Sequence, residues 1–142
     1  MRKNKFPRKM VEEEKDSLAM AIGMSIADMA RKMPVKAVIA LTGSGFTASM
    51  LAEGKLSVPI FACCPDKKVC RNIKLFRGVY PIPLNFEASI DKKSLLELDE
   101  FLIGKLGLSK DDFVLITGSV PELLVGGTNF IKIHKIGLLK KD

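Results

Sequence analysis

The pattern of apolar and polar positions divides this chain into alternating helical and strand-like segments. Long stretches with apolar residues at helical spacing are separated by short, wholly apolar runs, which are typical of strands buried on both faces of a sheet. The predicted elements, in chain order, are helix Val11–Met33, strand Ala37–Leu41, a helix from Ser44–Thr47 to Glu53, strand Ile60–Cys64, a helix capped by Asp66 that runs through Phe76, strand Val79–Leu84, a helix capped by Asp91 that carries Leu95, Leu98, Leu102 and Leu106, strand Phe113–Thr117 and strand Phe130–Ile136.

This alternation predicts an α/β fold, a three-layer αβα sandwich around a mostly parallel five-stranded sheet. Two features of the sequence indicate where the third and the last strand lie in the sheet. Pro81 and Pro83 favour an irregular or edge position for the third strand. Residues 118–129 carry no helix signal, and Phe130–Ile136 alternates apolar and polar residues. We therefore expect the last strand to be an antiparallel edge strand.

Composition favours one globular domain. The chain has 142 residues, 47% of them hydrophobic, and no apolar run approaches the roughly 20 residues that span a bilayer. Five of the net seven positive charges fall within residues 1–9. We therefore predict a basic N-terminal arm, residues 1–10, and one domain, residues 11–142. Nucleic-acid binding is disfavoured, since basic and aromatic residues are not interleaved. Without a signal-peptide pattern, a cytoplasmic location away from membranes is expected.

Side chains that carry catalysis or bind metals form no recognisable set. The cysteines, Cys63, Cys64 and Cys70, lack metal-site spacing, and their odd number fits a reducing compartment. Cys63 and Cys64 are expected to be small buried apolar residues, with a reactive Cys64 as the alternative. His134 is expected to point outward without a Ser or Cys partner. No catalytic residue, metal site or cofactor is predicted.

The most informative motif is a repeated tripeptide. Thr42-Gly43-Ser44 and Thr117-Gly118-Ser119 each follow a predicted buried strand. Parallel sheets bind ligands at the carboxyl ends of their strands, so two such loops suggest one anion site. Glycines allow close approach, hydroxyls donate hydrogen bonds, and a helix amino terminus favours phosphate. The alternative is that Ser44 or Thr47 only caps the following helix and nothing binds.

A nucleotide site is a second alternative. Gly43-x-Gly45-x-x-Ala48 matches a loose form of the dinucleotide fingerprint, and Asp66 lies about 20 residues further on, where an acid reaches a ribose hydroxyl. This would make the protein a small Rossmann-type enzyme. The chain has room for only one mononucleotide-type half.

Several segments, taken together, resemble the C-terminal domain of pyruvate kinase, in which a strand ends in Thr-x-Ser-Gly-x-Ser/Thr-Ala. The resemblance runs from about Val11 to Ile136. The matching segments are Val38–Ala48, Val58–Ala62, Val69–Arg71, Phe76–Pro81, Asp112–Gly118 and Gly127–Ile133.

The resemblance implies an allosteric domain that binds a phosphorylated metabolite, a sugar phosphate or a nucleotide monophosphate, and associates with copies of itself. The residues implied to hold phosphate are Thr42, Gly43, Ser44, Gly45, Phe46 and Thr47. The implied lid is residues 118–129, with Gly118, Ser119, Gly126 and Gly127. The catalytic barrel of that family is absent from this chain, so no catalysis is expected from it alone. A structural or regulatory interaction module with an empty loop is the remaining alternative.

Overall fold

The structure is a computed structural model and describes residues 12–42, 45–64, 66–84, 90–118 and 130–140. The predicted basic arm and Val11 lie outside these residues. The elements are α1 (Glu12–Lys32), β1 (Val35–Leu41), α2 (Phe46–Glu53), β2 (Ile60–Cys63), α3 (Lys67–Ile73), β3 (Val79–Ile82), α4 (Lys92–Gly104), β4 (Phe113–Gly118) and β5 (Phe130–Lys135).

The five strands form one sheet in the order β3-β2-β1-β4-β5. The pairs β1–β2, β1–β4 and β2–β3 are parallel, and β4–β5 is antiparallel. The predicted α/β fold is confirmed, including the edge position of the proline-containing third strand and the antiparallel last strand.

Helices cover both faces of the sheet and create two apolar cores. On one face, α1, α2 and α3 pack on residues such as Val38, Ala40 and Leu115. On the other, α4 packs on residues such as Ile39 and Ile116. The strands β1 and β4 contribute to both cores, which explains why their sequences are apolar almost throughout.

The first two helices pack closely because one of them carries a glycine at the contact. A Cβ atom added to Gly23 of α1 would lie 2.5 Å from the Met50 Sδ atom of α2.

The length and hydropathy of the helices decide whether one of them could be a membrane-spanning helix. None of the helices in the described residues has a sufficiently long apolar stretch to span a bilayer.

Some element boundaries differ from those predicted. The strand β1 begins at Val35, two residues earlier than expected. The helix α3 ends at Ile73 rather than at Phe76. Its continuation closes in tight turns, with the Leu75 N–H donating to Asn72 O and the Phe76 N–H to Ile73 O. Such three-residue spacings are common where a helix ends.

The order of strands fixes where a ligand site belongs. From β1 the chain adds β2 and β3 on one side, and then returns to place β4 on the other side of β1. The strand order therefore reverses between β1 and β4, whose carboxyl ends are neighbours. Ligands of open α/β sheets bind in the crevice at such a point.

Candidate ligand-binding site

The turn after β1 is shaped by a threonine that bonds to its own loop. The Gly45 N–H donates to Thr42 Oγ1 at 2.8 Å, and the Thr42 side chain is buried. The Thr42 N–H donates to Cys63 O of the neighbouring strand at 3.2 Å. Thr42 therefore holds the start of the turn against β2 and fixes the approach to α2.

A glycine, rather than a hydroxyl side chain, occupies the cap position of α2. Gly45 is the N-cap residue with φ 98°, and it has no side-chain cap hydrogen bond. This left-handed conformation favours glycine. The Ser49 N–H donates to Gly45 O at 2.9 Å and begins the helical pattern. Thr47, one of the two residues considered as the cap, instead lies in the first turn of α2.

The next two residues of the candidate loop differ in exposure. Phe46 is 41% exposed, whereas Thr47 is 4% exposed. Phe46 thus presents an aromatic surface beside the helix amino terminus, and Thr47 packs inward. Gly43 and Ser44 lie outside the described residues.

The end of β4 lies directly against the end of β1. Leu41 pairs with Gly118, and a Cβ atom added to Gly118 would lie 2.5 Å from the Leu41 carbonyl oxygen. Only glycine allows this approach. The preceding Thr117 is fully buried, and its hydroxyl donates to Phe130 O at 2.8 Å. Thr117 therefore fixes the start of β5, while Ser119, Gly126 and Gly127 lie outside the described residues.

The structure brings Thr42, Gly45–Thr47 and Gly118 together at the carboxyl ends of the neighbouring strands β1 and β4. Asp66 lies after the adjacent strand β2 and accepts a hydrogen bond from the Val69 N–H at 2.9 Å, as the predicted cap of α3. The described residues contain no group of three or more His, Cys, Asp or Glu side chains arranged to hold a metal ion.

Comparison with known proteins agrees with this fold. The family described as "Pyruvate kinase, alpha/beta domain" matches residues 20–134. The chain belongs to this family. Its similarity to individual pyruvate kinases is clear in sequence. It is 38% identical to that of Sporosarcina psychrophila over 125 residues, 88% of this chain, and 35% identical to that of Clostridium perfringens over 124 residues, 85% of this chain.

Solved structures give the same result. A Cryptosporidium parvum pyruvate kinase in complex with ADP matches 92% of this chain with a TM-score of 0.71 and 25% identity. In every case the chain spans only part of its relative: 21% of the Sporosarcina protein and 25% of both the Clostridium protein and the Cryptosporidium chain. The shared region is thus the pyruvate kinase C-terminal domain.

One buried polar pair was missed by sequence reasoning. His134 is 3% exposed, and its Nε2 atom lies 2.7 Å from Asp99 Oδ1 of α4. The Gly137 N–H donates to Asp99 Oδ2 at 3.1 Å. The expectation that His134 points outward is wrong, because α4 covers that face of β5 and supplies a carboxylate there. A signal for Asp99 existed: it lies four residues after Leu95, on the apolar face of the helix.

The cysteines are also arranged differently from expectation. Cys63 and Cys64 are both buried, as predicted, but Cys64 is joined to Cys70 of α3 as a disulfide. Cys63 is free, and burial raises its pKa to about 12. The two adjacent residues belong to opposite cores. Nothing in the sequence indicated this disulfide, because two cysteines six residues apart match no known pattern.

Proposed function

We propose that this domain binds the phosphate group of a small metabolite at residues 42–47, performs no catalysis by itself and associates with copies of itself. The observation that carries the proposal is the contact between Leu41 and Gly118 at the point where the strand order reverses. This contact supports the proposal because ligands of open α/β sheets bind between neighbouring strand ends at such a point.

The local chemistry supports an anion at this place. The loop opens α2, whose amino terminus carries the positive end of the helix dipole. Gly45 has no side chain to obstruct a phosphate, and its conformation turns the chain directly into the helix. These are the features by which helix amino termini bind phosphate in other proteins.

The charges around the loop favour a ligand with a single phosphate. Residues 118–129, the predicted lid, contain no Lys or Arg and one acid, Glu122. The chain has no Trp to stack on a sugar ring, and Phe46 is the exposed aromatic side chain of the loop. A sugar monophosphate or nucleotide monophosphate therefore fits this chain better than a bisphosphate held at both ends.

The ligand part is tested by a thermal-shift panel of inorganic phosphate, sugar mono- and bisphosphates, AMP, ATP, NAD and phosphoenolpyruvate. A ligand at about 100 times its dissociation constant adds about 2.7 kcal/mol to the stability and raises the melting temperature. Ser44→Ala should reduce the shift. Ser57→Ala is the matched control, because Ser57 is exposed and precedes β2, at the opposite edge of the sheet.

Amide chemical shifts separate binding at the loop from binding elsewhere. The active compound should shift the amide resonances of Gly45, Phe46 and Thr47 and leave those at the start of β2 unchanged. A panel without any response, or a response confined to other amides, overturns the ligand part. It would leave the interaction module with an empty loop.

Self-association is supported by apolar side chains left exposed near one sheet edge. Met20 and Met24 of α1 are 61% and 71% exposed, and they lie one helical turn apart. Ile133, on the outer strand β5, is 49% exposed and lies on the sheet face that α1 covers. Large contiguous apolar patches are typical of contact sites, and Met20 and Met24 are neighbouring exposed side chains from which such a patch would be built.

Sedimentation velocity over a range of concentrations tests this part. We expect a dimer or larger assembly that the double variant Met20→Gln, Met24→Gln disrupts. Leu75→Gln is the control, because Leu75 is 83% exposed but follows α3 rather than lying on α1. A wild-type chain that stays monomeric at the highest concentration overturns self-association.

We also propose a cytoplasmic role in the regulation of glycolysis, since the similar proteins are pyruvate kinases.

A further inference from the structure

The connection between β2 and α3 holds two cysteines in contact. Cys64 follows the last residue of β2 and Cys70 lies within α3, six residues later, and the two are joined as a disulfide. Their Cα atoms are 5.6 Å apart, within the range of about 4.4–6.8 Å that disulfides require.

Backbone hydrogen bonds hold both cysteines in place independently of the bridge. The Cys64 N–H donates to Ile82 O at 3.3 Å, which ties it to β3. The Cys70 N–H donates to Asp66 O at 3.0 Å, inside a helix that the Asp66 carboxylate caps. The two thiols therefore remain neighbours after reduction, and reoxidation needs no refolding.

The reduced form also has a partner for its buried sulfur. Cys64 Sγ lies 3.6 Å from Ile82 O. In the bridged form this is only a contact, because the sulfur carries no hydrogen. After reduction the thiol can donate a weak hydrogen bond to this carbonyl oxygen. Both redox states are thus compatible with the same backbone.

The two cysteine residues differ in burial, and this difference is the basis for assigning their chemical roles. Cys64 is 4% exposed, whereas Cys70 is half-buried on a short helix whose Lys67, Lys68 and Arg71 are exposed. Cationic surroundings favour a thiolate and attract anionic reagents. Cys70 is therefore the sulfur that meets a reagent from solvent, and Cys64 is the sulfur that completes the bridge.

The bridge lies beside the turn after β1. Cys63, the residue before Cys64, accepts a hydrogen bond from the Thr42 N–H through its carbonyl oxygen at 3.2 Å. On the other side, Ile73 of α3 is fully buried, and its Cγ1 atom would lie 4.0 Å from a Cβ added to Gly45. Fixing α3 to the end of β2 therefore restrains the residues against which the Thr42–Gly45 turn packs.

We propose that Cys64 and Cys70 form a reversible thiol–disulfide switch that responds to low-molecular-weight disulfides of the glutathione class and changes the rigidity of the turn after β1. The Cys70 thiolate attacks one sulfur of the small disulfide, forms a mixed disulfide and releases one small thiolate. The Cys64 thiolate then attacks the Cys70 sulfur and releases the second. Two protein thiols are oxidised to one disulfide, and one small disulfide is reduced to two thiols.

Thiol counting in glutathione buffers tests the chemistry. The chain has three cysteines. Denatured and alkylated after equilibration, it should show three thiols in reduced glutathione and one, Cys63, in oxidised glutathione. Cys63→Ala should keep the transition, and Cys70→Ser should abolish it. Three thiols in every buffer, or a bridge that millimolar reduced glutathione does not open, overturns the switch.

Hydrogen exchange of the two redox forms tests the effect on the turn without any phosphate ligand. Oxidation should slow the exchange of the Gly45 and Cys70 amides by about tenfold or more, as expected when a short loop is cross-linked. Amides at the carboxyl end of α4 that exchange by local fraying should be unchanged and serve as the internal control. Equal exchange at Gly45 in both forms overturns the coupling, whether or not residues 42–47 bind phosphate.

Discussion

The Nε2 atom of His134 lies 2.7 Å from Oδ1 of Asp99, and both side chains are buried between α4 and the last strand. The second carboxylate oxygen accepts the Gly137 N–H at 3.1 Å. One aspartate thus connects the helix on one face of the sheet with the outer strand and with the turn after it. The pair joins elements 35 residues apart in sequence.

Removing this carboxylate should destabilise the domain strongly. Asp99→Ala leaves a buried imidazole and a backbone N–H without their partner, which costs about 3 kcal/mol of the free energy of unfolding. Urea denaturation followed by circular dichroism measures the loss. Asp99→Asn, which keeps the size and one acceptor oxygen, should lose less than Asp99→Ala.

A double-mutant cycle separates the pair from the packing of each side chain. If the bond matters, Asp99→Ala in a His134→Ala background should cost clearly less than in the wild type. Costs that simply add would show that the two residues contribute independently and would contradict the role of the pair.

The close approach at Gly118 predicts opposite effects for two glycine substitutions. Gly118→Ala places a methyl group 2.5 Å from the Leu41 carbonyl oxygen, so the ends of β1 and β4 must separate. Such overpacking costs about 1–3 kcal/mol. Gly104→Ala, in α4, meets nothing within 4 Å and should stabilise the domain by about 0.5 kcal/mol. Melting temperatures that fall equally for both variants would contradict this difference.

The cap of α4 predicts a loss of stability in acid. The pKa of Asp91 is lowered below its ordinary value of 3.8. The main cause is the hydrogen bond from the Ser94 backbone N–H, and the Ser94 side chain contributes less. A lowered pKa in the folded state contributes stability that is present above the ordinary value and is lost as the pH falls through the folded value. Asp91→Asn still caps the helix but should lose less stability between neutral and acidic pH. An unchanged pH profile in this variant would exclude Asp91 as a source.

The buried thiol predicts a loss of stability at alkaline pH. Burial raises the pKa of Cys63 from 9.0 to about 12. The unfolded chain therefore releases this proton at a lower pH than the folded chain does, and stability falls as the pH rises from about 9 toward 12. Measured on the oxidised protein, where Cys64 and Cys70 do not titrate, Cys63→Ala should flatten this part of the profile. The same slope in both proteins would contradict the assignment.

The sequence predicted the sheet well because buried strands and capped helices leave local signals. Apolar runs marked β1, β2 and β4, and Asp66 and Asp91 proved to be the caps expected of them. The neighbouring ends of β1 and β4 followed from the general behaviour of parallel sheets. Whether residues 42–47 hold a phosphate stays a prediction.

What the sequence did not reveal depends on contacts between distant elements. In β5 the alternation of Ile131, Ile133 and polar residues predicted polar side chains outward. Yet Ile133 is 49% exposed, while His134 is 3% exposed. The reason is Asp99, whose position in α4 makes a buried histidine favourable. The bridge between Cys64 and Cys70 is local by contrast, since it spans six residues, but it requires the helix that Asp66 caps to bring Cys70 back to the end of β2.

The direction of α1 has a practical consequence for joining this domain to other molecules. With only two residues between α1 and β1, α1 must run opposite to β1, so Glu12 lies toward the carboxyl edge of the sheet. At about 1.5 Å per residue, α1 extends roughly 16 Å from Gly23 to Glu12, against about 6 Å from Met50 to the start of α2. A fusion partner or surface tether attached ahead of Glu12 therefore enters above the turn that opens α2. The strand β5 ends opposite Phe113, the first residue of β4, at the amino ends of the parallel strands. A tether placed after β5 therefore leaves the crevice open to solvent.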